Sequence, residues 1–134
     1  MTAKEFLQKG RQLNFELEEL KEAREKAFGA ACSASVQGDG ERVQTSSGNA
    51  TEEKFITYSD YSVEIDRRIK ELLEYRSEML RVINTIESSV YRSILIARYI
   101  NCKRWEDVAV GINRDLRYTF KLHRRALQKL SYKK

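Results

Sequence analysis

Phe6, Leu13, Leu20 and Ala27 recur at intervals of seven residues, with Leu17 and Ala31 on the intervening positions and Gly10 and Arg24 as weaker members. This is a helical period, and it marks a narrow apolar seam rather than a helix buried on every side. Thr2, followed three residues later by Glu5, fits a capping box, so a first helix is expected from about Thr2 to Ala31. A second seam follows in Ile65, Ile69, Leu72, Met79, Ile83 and Ile86, with Tyr58 ahead of it. Thr51 with Glu52 and Glu53 is the expected start of that helix. Residues 33–51 carry Gly38, Gly40 and Gly48 among Ser, Thr and Asn, and read as a flexible connector. Two long seamed helices joined by a loop should fold back as an antiparallel, coiled-coil-like hairpin or pair with another chain. Such a hairpin acts as a stalk or an oligomerisation element.

Charge divides the chain. Residues 1–87 hold 13 Lys and Arg against 17 Asp and Glu, a balance of −4, while residues 88–134 hold 12 against 3, a balance of +9. The overall +5 therefore conceals an acidic hairpin, residues 1–87 with its loop 33–51, and a basic second domain, residues 88–134. Asymmetry of this kind marks a part that meets a polyanion. With 134 residues the chain has room for one modest domain, or a small one with an extension. Its 41% hydrophobic and 34% charged residues exclude a wholly disordered chain and favour exposed, charge-laced helices. Proline is absent and few alternating runs occur, so the expected class is all-α.

No apolar stretch reaches the roughly 18 residues of a membrane span, and Met1–Gly10 lacks a secretory apolar core. A cytoplasmic protein without a membrane partner is expected. Cys32 and Cys102 are the only cysteines and His123 the only histidine, too few for a usual structural zinc site. The expectation is two reduced thiols, a packing role for His123 and no cofactor.

The second domain reads as three helices. Ser88 or Ser89 can cap the first, which runs to about Ile100 with Ile94, Leu95 and Tyr99 on its buried side. A short helix follows around Trp105 to Ile112, where Trp105 is expected in the core joining it to its predecessor. The last helix runs from about Leu116 to Tyr132. Between these two, Asn113 falls where the chain must reverse with positive φ, which Asn tolerates better than other non-glycine residues. Asp115 can then cap the last helix. Val108, Ala109, Ile112, Thr119 and Leu122 fall at the crossing, and the whole is the pattern of a helix-turn-helix. On a wheel, Leu116, Thr119, Phe120, Leu122, His123, Ala126, Leu127 and Leu130 share one arc. Arg117, Tyr118, Lys121, Arg124, Arg125, Gln128 and Lys129 occupy the other. A helix with such a face fits the major groove of duplex DNA, where Arg bonds guanine and several cations bond phosphates. Arg114, near the helix start, could reach a phosphate.

From Ser88 onward the chain resembles region 4 of bacterial sigma factors, through ILIARY (Ile94–Tyr99), WEDVA (Trp105–Ala109) and KLHRRALQKL (Lys121–Leu130). Over its whole length it is similar to small phage and prophage proteins, often uncharacterised, that join long N-terminal helices to such an end. The resemblance implies a role in phage gene expression, a recognition helix on promoter DNA and a contact with RNA polymerase. Three positions depart from the family pattern. Asn113 stands where Gly is usual and Asp115 where Ser is usual, and both suit the turn. Thr119 replaces an aliphatic residue and should loosen packing slightly. Nothing matches the sigma region that melts promoter DNA, which argues against an autonomous sigma factor.

The expected function is thus a sequence-specific, non-enzymatic double-stranded DNA-binding regulator, with the hairpin setting a homo-oligomeric state. Arg114, Arg117, Tyr118, Lys121, Arg124 and Arg125 are the expected DNA-binding residues. The alternatives are a DNA-packaging subunit of the small-terminase type and a helical module that binds an acidic protein surface. Glu106 and Asp107 are adjacent acids, but neighbours point about 100° apart on a helix and here favour its N-terminus.

Overall fold

The computed structural model describes the backbone of residues 1–36 and 45–130, with side chains for most of them. All its regular elements are helical, as the periodicities require. They are α1 (Ala3–Val36), α2 (Thr45–Ile83), α3 (Ser89–Leu95), α4 (Trp105–Ile112) and α5 (Leu116–Lys129). A π-helical turn, Ile96–Ile100, extends α3. Among the described residues, no helix is long and apolar enough to cross a membrane.

The capping box forms: Thr2 N donates to Glu5 Oε2 at 3.0 Å, and Glu5 N donates to Thr2 Oγ1 at 3.1 Å. α1 continues beyond the expected Ala31, and α2 begins at Thr45 rather than Thr51. The expected connector is therefore helical at both ends, and its middle, residues 37–44, lies outside the described residues. So does the expected end of the last helix at Tyr132: α5 stops at Lys129, where Leu130 turns extended with φ −70° and ψ 132°.

The chain forms two compact units, residues 15–70 and residues 1–14 with 71–134. Within the first, α1 and α2 run antiparallel. Leu17 and Ile65 are buried, and Phe28 packs on Phe55 and Tyr58. Arg68 bridges Glu16 and Glu64, and the neighbouring Arg67 and Arg68 guanidiniums hold the Glu64 carboxyl down at about 2.

The second unit is where the hairpin ends join the C-terminal helices. Phe6 and Leu7 of α1 share one core with Met79, Val82 and Ile83 of α2, Ile86, Leu95, Tyr99 and Ala126. This core crosses the boundary read at 87/88. The physical reason is that both helix ends carry apolar side chains beyond their mutual seam, and α3 and α5 cover them. Gly10 permits the close approach of α1 and α2 here: a Cβ on it would collide with the Met79 side chain. Tyr75 donates to the Phe6 carbonyl at 2.8 Å. Arg92 donates to the carbonyls of Ile86 and Glu87 at 2.6 and 2.7 Å, pinning the turn between α2 and α3. A smaller core joins Ile94, Val108 and Leu122 from α3, α4 and α5.

Candidate nucleic-acid interface

The turn between α4 and α5 determines how α5 is presented. Asn113 adopts φ 58° and ψ 47°, the left-handed conformation read from the sequence. Asn113 N donates to the Val110 carbonyl and Arg114 N to the Ala109 carbonyl, both at 3.1 Å. These two bonds are the Schellman closure, which satisfies carbonyls that α4 would otherwise leave open. Asp115 then caps α5, its Oδ1 accepting from Tyr118 N at 2.7 Å. A carboxylate there satisfies an orphan donor and meets the positive end of the helix dipole.

The inner face of α5 is fixed by packing. Thr119, Leu122, His123 and Ala126 are buried. Thr119 does not leave its hydroxyl unsatisfied: Oγ1 donates to the Asp115 carbonyl at 2.8 Å. Leu116 and Phe120 lie on the arc read as apolar, yet each keeps 37% of its surface exposed. Trp105 is likewise half-buried rather than a full core residue. It packs edge-to-face with Phe120 at 5.1 Å and His123 at 4.6 Å, and the Arg98 guanidinium lies 4.5 Å from its ring centre.

His123 is a packing residue. Its Nε2 lies 2.7 Å from the Tyr99 hydroxyl. Burial is the main cause that pushes its ionisation down to about 4, helped by the charges of Lys4, Arg98 and Arg124. Burial also raises the Tyr99 phenol. Both groups are therefore neutral near pH 7, and a hydroxyl donating to Nε2 satisfies each.

All six residues expected to meet DNA are exposed. Arg114 lies in the turn, and Arg117, Tyr118, Lys121, Arg124 and Arg125 lie on the outer arc of α5. The Arg114 guanidinium sits 5.5 Å from the Tyr118 ring centre, so these two side chains form one unit at the helix start. Among the described residues, none of Arg114, Arg117, Lys121, Arg124 and Arg125 is paired with a carboxylate. Elsewhere cations are paired: Lys21 with Glu18, Lys26 with Glu22, and Arg81 with Glu78. The outer arc is thus a surface of unbalanced positive charge on a helix whose other side is anchored. Gln128 and Lys129 continue it toward the C-terminal end.

The sequence reading missed Lys4, Arg11 and Arg98, which gather beside Arg124 around one cleft. Lys4 and Arg11 share α1, but no local pattern could have joined them to Arg98 and Arg124, which come from two other elements.

The family described as a protein of unknown function, DUF1492, matches the chain over residues 34–131. No curated protein and no solved structure matches it.

Proposed function

The chain belongs to the DUF1492 family of proteins of unknown function, and from the outer face of α5 we propose that it is a sequence-specific, non-enzymatic double-stranded DNA-binding protein. The observation that carries this reading is the set of exposed cations on α5 without carboxylate partners, on a helix capped by Asp115 and anchored by Thr119, Leu122, His123 and Ala126. A helix held in this way can enter a major groove without rearranging. Arg117 and Lys121, one turn apart near its start, meet base edges. Arg114, Arg124 and Arg125 meet phosphates, and Tyr118 packs between backbone and groove wall.

The resemblance of residues 88–134 to sigma region 4 supports a finer form of the proposal. In that form the protein regulates phage or prophage genes and contacts RNA polymerase when bound beside a promoter. The hairpin would set the oligomeric state, which the exposed Phe15, Ile56 and Val63 support. The test is selection of bound duplexes from a random pool, followed by affinity measurements on the selected site across salt concentrations. An enriched motif and a steep loss of affinity with salt are expected. Recovery of no motif, with affinity insensitive to salt, would refute the proposal.

A further inference from the structure

A second basic feature lies in the unit formed by residues 1–14 and 71–134. It is an open cleft of about 340 Å³, bounded by the start of α1, the π-helical turn, the start of α4 and the flank of α5. Four cations line it: Lys4 and Arg11 from α1, Arg98 from the π-helical turn and Arg124 from α5. None of its described lining residues is acidic. Like charges gathered in this way repel one another, more strongly where the walls exclude water, and Glu106 offsets Arg98 only in small part.

Two of the four are partly shut off from water. Arg98 is held in position, over the Trp105 ring and donating to the Lys103 carbonyl at 2.9 Å. Burial, with a smaller contribution from Arg11, pushes its ionisation below the ordinary arginine range. Arg11 has its Nε shut off from solvent with no hydrogen-bond partner among the described residues. A charged donor left in that condition is costly unless an acceptor arrives. The fold therefore maintains two partly desolvated guanidiniums whose charge an anion in the cleft would offset.

We propose that this cleft binds a compact polyphosphate anion, free or as the polyphosphate end of a nucleotide, gripped by Lys4, Arg11, Arg98 and Arg124. Charge selects this class. A phosphodiester of a nucleic-acid backbone carries roughly one negative charge, whereas a terminal phosphate carries about −1.5 to −2. Two or three linked phosphates are needed to match four cations. Three of the four lie off the outer arc of α5, so the site stands apart from the DNA reading, with Arg124 shared.

The single histidine supplies the assay. His123 lines the cleft and faces Lys4 from α1, Arg98 and Tyr99 from the π-helical turn, Trp105 from α4 and Arg124 from its own helix. Its imidazole resonances in the full chain can be followed by NMR during titration with tripolyphosphate, chloride holding the ionic strength constant. A saturable shift is expected, with a rise in the His123 pKa as the anion offsets those cations. Arg11→Gln should weaken binding about tenfold, the loss typical of one charge-assisted contact. Lys4→Gln, at an exposed position, keeps the test available if Arg11→Gln disturbs the fold. A double Arg117→Ala and Lys121→Ala variant should bind tripolyphosphate as the parent does. ATP binding more tightly than tripolyphosphate would support the nucleotide form, and equal affinity the free polyphosphate form. No saturable shift, or an equal loss in the Arg117/Lys121 variant and in Arg11→Gln, would overturn the site in favour of diffuse counter-ion attraction. Duplex binding measured on Arg11→Gln separates the two readings, since the DNA face remains intact in it.

Discussion

Acidification should destabilise the C-terminal helices through His123, and the effect can be calculated. The imidazole is held at about 4 in the folded chain against an ordinary value of 6.5. The unfolded chain therefore binds a proton between these values while the folded chain does not. Stability from this group is fully present above pH 6.5 and is lost as pH falls toward 4. The difference of 2.5 pH units corresponds to about 3 kcal/mol in full, of which about 2 kcal/mol is lost by pH 5. Little solvent reaches the ring, which is 7% exposed, so screening takes little from this figure. Urea unfolding of the parent and of His123→Gln at pH 7.5 and pH 5.0 isolates it, because carboxylates titrate alike in both chains. The parent should lose about 2 kcal/mol more than the variant over this interval. Equal losses would show that the imidazole titrates near its ordinary value, and the neutral Tyr99–His123 pair would have to be abandoned.

Three further outcomes follow from the α4–α5 region. Trp105→Ala should lower stability by about 2 kcal/mol in urea unfolding, less than the 3–5 kcal/mol of a fully buried aromatic, because the indole is half-buried; a loss of the full size would mean the ring is enclosed in solution. Asp115→Ala should cost about 1 kcal/mol and Asp115→Ser much less, since the serine hydroxyl can accept from Tyr118 N; equal effects of the two would discount the cap. On DNA, Arg117→Ala should cost about 1–3 kcal/mol on the selected site and relax one base pair, while Arg125→Ala should weaken all duplexes alike and reduce the salt slope by about one. Exchange of these two signatures would mean that α5 is rotated in the groove.

What the sequence disclosed was chiefly local. Thr2 with Glu5, Ser88, Asn113 and Asp115 each act on backbone groups a few positions away, so their chemistry could be read directly. The seam from Phe6 to Ala27 was legible because a heptad period reports one neighbour. Leu7 was not, although it is fully buried, because it lies off the heptad positions and its core is shared by α2, α3 and α5. At 87/88 the charge changes but apolar contact does not, since one core holds residues from both sides. The π-helical turn could not be anticipated, since Ile96–Ile100 has the composition of any buried helical end. The outer arc of α5 lies on consecutive turns of one helix and was visible on a wheel. The cleft needs Lys4, Arg11, Arg98 and Arg124 from three elements, and only tertiary structure brings them together.

The central claim is that the outer arc of α5 grips duplex DNA. A combined Arg117→Ala, Lys121→Ala and Arg125→Ala variant tests it most directly, because it removes three of that arc's cations and leaves the lining of the basic cleft intact. With folding verified by helical circular dichroism and an unchanged urea midpoint, its affinity for the selected duplex at physiological salt should fall at least about a hundredfold, the loss of two or more charged contacts. An affinity equal to the parent's would leave α5 a solvated surface and contradict the account.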